Sequence, residues 1–148
     1  PRSPPLPART VRALAPRADD VARALAGRDA SRLQPTGAYA ANLLGLSTQV
    51  PARVVYLTDG GSRTVKIGNL QIVLRKTTPR QMATAGRMSG TVIQALRWLG
   101  QGNVDASTIS HLRKRLAPTD KQQLLKDLRF APVWVAEVMR QIGDPKGH

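Results

Sequence analysis

Apolar and polar positions alternate most regularly between residues 63 and 75. Val65 and Ile67 precede Gly68-Asn69, and Leu70, Ile72 and Leu74 follow it, with Thr64, Lys66, Gln71 and Arg75 in the intervening places. A glycine-containing dipeptide between two alternating runs predicts a two-residue hairpin turn. The register follows: Ile67 faces Leu70, Val65 faces Ile72, and Arg63 lies near Leu74. The five aliphatic residues then share one face, which must be buried, and a slip of one residue would expose all of them. The outer face is polar and basic, with Val73 among its residues, and Lys76 and Arg80 extend it. Upstream, Val54-Val55-Tyr56-Leu57 has the composition of a well-buried strand, and Asp59-Gly60-Gly61-Ser62 ends it with turn chemistry.

Elsewhere the spacing is helical. Asp19 or Asp20 caps a predicted helix over 21–28, with Val21, Ala24 and Leu25 inside. Arg32-Leu33-Gln34 reads as a brief strand stopped by Pro35. A compact helix over 38–44 follows, carries Tyr39 and Asn42, and is closed by Gly45. Thr78 and Pro79 suit the start of a long helix over 80–99, with Ala85, Met88, Val92, Leu96 and Leu99 on one face and Ile93 beside them. Gly86 and Gly90 each cost about 1 kcal/mol inside a helix, which points to close packing against the sheet. Three shorter helices complete the chain. Asp105 caps the first, Thr119 and Gln122 form a capping box for the second, and Pro132 starts the third. Their apolar stripes run through Ile109, Leu112 and Leu116, through Leu124, Leu125 and Leu128, and through Trp134, Val135, Val138, Met139 and Ile142.

The expected fold is α+β: a small antiparallel sheet with a β-hairpin packed against a long helix, followed by a C-terminal helical bundle. The proline- and arginine-rich residues 1–17 read as an extended arm or linker, 18–142 as the domain, and 143–148 as a frayed tail.

Charge sharpens the functional picture. The 148 residues include 23 Lys and Arg against 9 Asp and Glu, a net charge of +14. Such an excess favours a polyanionic partner, usually nucleic acid, through phosphate neutralisation and counterion release. With only 3% aromatic residues, stacking platforms for single-stranded bases are not expected. Two basic clusters are the candidates for nucleic-acid or partner binding: Arg63, Lys66, Arg75, Lys76 and Arg80 at the hairpin, and Arg113-Lys114-Arg115 on a helix.

Catalytic chemistry is sparse. The chain has no cysteine, two histidines and one glutamate, Glu137. Disulfides, thiolate zinc sites and a cysteine nucleophile are therefore excluded. Asp59 is the one acid in a suggestive place, at a strand end beside glycines, but a metal-dependent nuclease needs further acids at adjoining positions. No phosphate-binding glycine loop occurs. No catalytic residue, metal or cofactor is expected. Lacking a membrane span and a secretory leader, the chain is compatible with the cytoplasm.

Several linked motifs carry a resemblance to a known family. Pro35-Thr-Gly-Ala-Tyr-Ala-Ala-Asn-Leu-Leu-Gly-Leu46, Pro51-Ala-Arg-Val-Val-Tyr-Leu-Thr-Asp-Gly60, Ser62-Arg-Thr-Val-Lys-Ile-Gly68, Leu74-Arg-Lys-Thr-Thr-Pro-Arg80 and Val92-Ile-Gln-Ala-Leu-Arg-Trp-Leu99 together resemble the AbiEi-type antitoxins of type IV, abortive-infection toxin–antitoxin systems. The resemblance runs from about residue 18 to residue 142. It implies a non-enzymatic α+β antitoxin domain that counters a nucleotidyltransferase-like toxin without a stable complex. The winged helix-turn-helix that precedes this region in the family, and binds the operon's own promoter, has no counterpart here. The resemblance thus implies a C-terminal domain plus linker; the basic charge, not the resemblance, makes double-stranded DNA a further expected partner. Carried onto this sequence, the motif positions are Tyr39, Asn42, Thr58, Asp59, Thr77 and Thr78, together with the basic Arg63, Lys66, Arg75, Lys76 and Arg80.

Overall fold

A computed structural model of the protein describes residues 18–26, 32–49 and 51–145. The arm over 1–17 and the last residues of the tail lie outside them. Helix α1 covers 18–26. Strand β1 (Leu33–Pro35), α2 (Gly37–Leu43), β2 (Arg53–Thr58), β3 (Arg63–Ile67) and β4 (Leu70–Lys76) follow, and then α3 (Met88–Leu99), α4 (Ala106–Arg115), α5 (Pro118–Lys126) and α6 (Val133–Gly143). Short 3-10 turns over Gln101–Asn103 and Leu128–Phe130 join the last helices. The fold is α+β, a four-stranded sheet followed by C-terminal helices.

The hairpin has the register its turn dictates: Ile67 pairs with Leu70, Val65 with Ile72 and Arg63 with Leu74. Gly68 is left-handed at φ 60° and Asn69 is not, the sense of a type II′ turn. The sheet as a whole is mixed rather than antiparallel. Its order is β1-β2-β4-β3, and β4 runs parallel to β2, with Val54 beside Ile72 and Thr58 beside Lys76. Residues 59–62 carry the chain to the outer edge, and the hairpin then returns β4 into the gap. Alternation within each strand is blind to that choice. Strand β2, apolar on both faces, gains a neighbour on each side, as buried strands require.

One sheet face carries Val54, Tyr56, Leu70, Ile72 and Leu74, packed with Ala18 and Ala22 of α1 and with Tyr39 of α2. The helix on the hairpin is therefore α1. Helix α3 instead packs on α2 and reaches the sheet at its β1 edge. Within α1, Ala18 and Ala22 are buried and Ala24 is exposed, so the expected inner stripe is rotated. Because β3 is an edge strand, Ile67 stays exposed despite lying on the apolar face. The opposite face is closed at one end by Leu57, Met82 and Ala85. A second core joins α2, α3 and the C-terminal helices around Leu44, Leu96, Leu112, Leu124 and Met139.

The long helix begins at Met88, not at Arg80. Residues 79–87 form turns with three-residue hydrogen bonds, among them Ala83 N–H to the Arg80 carbonyl and Arg87 N–H to that of Thr84. Gly86, at φ +84°, breaks the backbone before α3. Gly90 is the glycine that packs closely: a Cβ there would meet Gln34 Oε1 and come within 2.6 Å of the Thr84 carbonyl. Asp105 caps α4, accepting from Thr108 N–H at 3.0 Å. The expected capping box at Thr119 is replaced by Pro118 in the first turn of α5. Gly143 is not frayed, but buried as the last residue of α6.

Candidate anion-binding cleft

Parallel pairing brings the ends of β2 and β4 together. Thr77 N–H donates to the Thr58 carbonyl at 3.0 Å. The buried Thr58 hydroxyl donates to the Arg32 carbonyl at 3.5 Å and accepts from Gly60 N–H at 3.1 Å. Lys76 N–H donates to the Ser62 hydroxyl. Four motif positions, Thr58, Asp59, Thr77 and Thr78, thus meet at the carboxyl end of the parallel pair. Ligands of open sheets with parallel strands commonly bind beyond such ends.

The chain leaves this end through a turn that Thr78 holds, its hydroxyl accepting from Gln81 N–H at 3.3 Å. The turn projects Arg80 and Gln81 toward the outer side of α3. There they join Gln94 and Arg97 of α3 and Arg129 and Phe130 of the turn before α6 around a cleft of about 480 Å³. Ile93, Ala131 and Pro132 give it apolar wall. Among the described residues no carboxylate lines it. Among the described residues Arg80, Arg97 and Arg129 make no ion pair and no side-chain hydrogen bond. Arg129 instead lies over the Phe130 ring, 4.8 Å from its centroid, a cation–π contact. Arg97 also lies in the last turn of α3, where a cation is favoured by the helix dipole.

The other predicted basic residues are distributed differently. Lys66 and Arg75 share one sheet face with Thr64 and Gln71, while Arg63 and Lys76 lie in the rows of Leu74 on the other. The hairpin therefore offers two small exposed groups instead of one basic face. Arg80 belongs to the cleft. The helical triplet is divided as well. Arg113 donates to the carbonyls of Gln141, Ile142 and Asp144 and so holds the end of α6. Arg115 donates to the Leu43 carbonyl, and His111 Nε2 donates to that of Leu44, so α4 clamps the end of α2. Lys114 is exposed between them.

Two further motif positions have architectural roles. The Asn42 amide donates to the carbonyls of Ser47 and Gln49 and shapes the loop after α2. The Tyr39 ring packs edge-on against Tyr56 at 5.6 Å. Tyr56 hydrogen-bonds Asp19 at 3.1 Å and the Tyr39 hydroxyl at 3.3 Å, tying α1, α2 and β2 together. Burial, then the Tyr39 and Asp19 contacts, push the Tyr56 hydroxyl far above its usual range, so it remains a neutral donor. Tyr39 and Tyr56 line a second cleft of about 450 Å³ with Asp19, Arg23 and Arg87. There, Arg23 pairs with Asp19 at 3.3 Å, and Arg87 with the buried Asp127 at 2.7 Å. Burial raises the Asp127 carboxyl, but Gln123 and Arg87, among its donors, outweigh it and hold the group below its usual value.

Sequence reasoning missed Arg97, Arg129 and Phe130 because they converge only through packing of distant segments. The adjacent pair Arg129-Phe130 was the one local signal available. Among the described residues no three His, Cys, Asp or Glu side chains group as metal ligands, and no helix is long and apolar enough to cross a membrane.

Residues 4–124 match the model of DUF6088, a family of unknown function, and the chain belongs to that family. No curated protein and no solved structure matches.

Proposed function

We propose that this DUF6088 member is a non-enzymatic, cytoplasmic antitoxin domain that counters a nucleotidyltransferase-like toxin through a polyanion-binding surface. The observation that carries the polyanion part is the cleft of Arg80, Arg97 and Arg129, which no carboxylate among the described residues lines. Three cations without ionic partners in a concave site are poorly explained as stabilising contacts, since exposed charges of that kind contribute little to folding. They favour an anionic ligand, and the +14 net charge draws such ligands from a distance. The antitoxin part is supported by the motif series from Pro35 to Leu99, whose residues Thr58, Thr77 and Thr78 build the sheet end from which the cleft opens.

Growth rescue tests it. Cells expressing the toxin encoded beside this gene should recover when the folded chain is supplied. Folded, abundant protein that leaves growth arrested, or a gene neighbourhood without such a toxin, counts against the antitoxin reading.

The dispersed charge favours a second reading, in which the chain assists binding of double-stranded DNA and autoregulation of the operon. Lys66 and Arg75 lie exposed on the same sheet face and suit phosphate contacts. Duplex affinity should then fall steeply with salt, and Lys66→Ala with Arg75→Ala should flatten that dependence by about one to two units of slope.

A further inference from the structure

We infer that the Arg80–Arg97–Arg129 cleft binds a phosphorylated nucleoside, held by its phosphates and its base together. This rests on the reading of the cleft as an anion site and narrows it to a ligand class. Three observations carry it. The first is size: about 480 Å³ lies within the usual range for small-molecule pockets and is far too small to admit a duplex. The second is the polar lining. Arg80 and Arg97 supply unpaired guanidinium groups, and Thr78 and Gln94 add neutral donors and acceptors, the set that recognises phosphate and ribose oxygens. The third is the aromatic part of the lining. The exposed Phe130, with the Arg129 guanidinium over its ring at 4.8 Å from the centroid, and Pro132 line the same cleft. A base can stack on an aromatic ring or on an arginine plane, and inorganic phosphate has no use for either. A simple anion would need the arginines alone; a purely apolar ligand would leave them unsatisfied.

The same chemistry has two sources: a free nucleoside triphosphate, or the terminal nucleotide of a single strand. Calorimetric titration of the full chain with ATP, with inorganic triphosphate, with adenosine and with a short 5′-phosphorylated oligodeoxythymidine separates them. The inference expects ATP or the oligonucleotide to bind at one site per chain. ATP alone identifies a free nucleotide as the ligand; the oligonucleotide alone identifies a strand end. Inorganic triphosphate should bind whichever ligand's site roughly tenfold more weakly, reflecting the lost stacking. Adenosine should bind more weakly still. Arg97→Ala and Phe130→Ala should each weaken the nucleotide by about tenfold or more. Arg140→Ala, on α6 and outside both basic clusters, should leave it unchanged, and circular dichroism should show all three variants folded. Binding by neither ligand overturns the inference. So does binding that Arg97→Ala leaves intact, or inorganic triphosphate binding as tightly as the nucleotide. Rescue of growth is a separate readout: nucleotide binding without rescue sinks the antitoxin reading and leaves this one standing, and rescue without nucleotide binding does the reverse.

Discussion

The two clefts differ little in volume and greatly in charge. Helix α3 stands between them: Met88 and Thr91 line one, Ile93, Gln94 and Arg97 the other. On the Met88 side, charges find partners within the fold. Asp19 meets Arg23 and Tyr56, and Arg87 meets Asp127. On the Arg97 side, three arginines meet no acid among the described residues. A cleft whose charges are internally satisfied holds segments together; one with uncompensated charge of a single sign is organised toward something outside the molecule. The Arg113 and Arg115 clamps make the same point, since those arginines are committed to helix-end carbonyls.

That contrast gives a ranked set of expectations. The largest effect falls on the wall itself. Gly90→Val would drive a side chain into Gln34 and the Thr84 carbonyl, residues beside the two clefts, and should destabilise the protein by about 3 kcal/mol or more in urea unfolding. Next comes the partnered side. Asp127→Ala removes a buried carboxylate and strands Arg87, at a cost of about 2–3 kcal/mol, the lower end because Arg87 is partly exposed.

Acid should reveal the same pair. The Asp127 carboxyl is held below its ordinary 3.8, so its contribution is complete above that pH and is lost as pH falls beneath it. Asp127→Asn should flatten the stability–pH curve in that acid range and leave it parallel to wild type near neutrality. Retention of the full acid slope would show that another carboxylate dominates.

Tyr56→Phe should cost about 1 kcal/mol, since it deletes one hydroxyl bonded to Asp19 and Tyr39 while keeping the ring contact. Smallest of all, Arg80→Ala, Arg97→Ala and Arg129→Ala should each change stability by no more than about 0.5 kcal/mol. A loss above about 2 kcal/mol in any of them would mean that the basic cleft, too, is a structural joint.

Much of the fold was legible because local rules decide it. Gly68-Asn69 sets the hairpin register, Asp105 caps α4, and the apolar stripes of the last three helices pack as spaced. Strand order was not, because inserting β4 between β2 and β3 is decided by which neighbours bury β2 on both sides. The helix start at Arg80 failed for a related reason. Apolar periodicity continues a helix through Gly86 in spite of glycine's cost, whereas tertiary packing bends the chain there and closes Met82 and Ala85 over Leu57. Of the candidate site, Thr78 and Arg80 were legible as neighbours in one motif. Arg97, Arg129 and Phe130 join them only once α3 and the turn before α6 are packed.

The most direct test of the central claim is growth rescue by charge-reversed proteins. Arg80→Glu, Arg97→Glu and Arg129→Glu together should abolish protection from the toxin while the protein remains folded and abundant. The single reversal Arg23→Glu, in the partnered cleft, should still protect. Full protection by the folded triple variant would contradict the account, because the uncompensated basic cleft would then have no part in what the protein does.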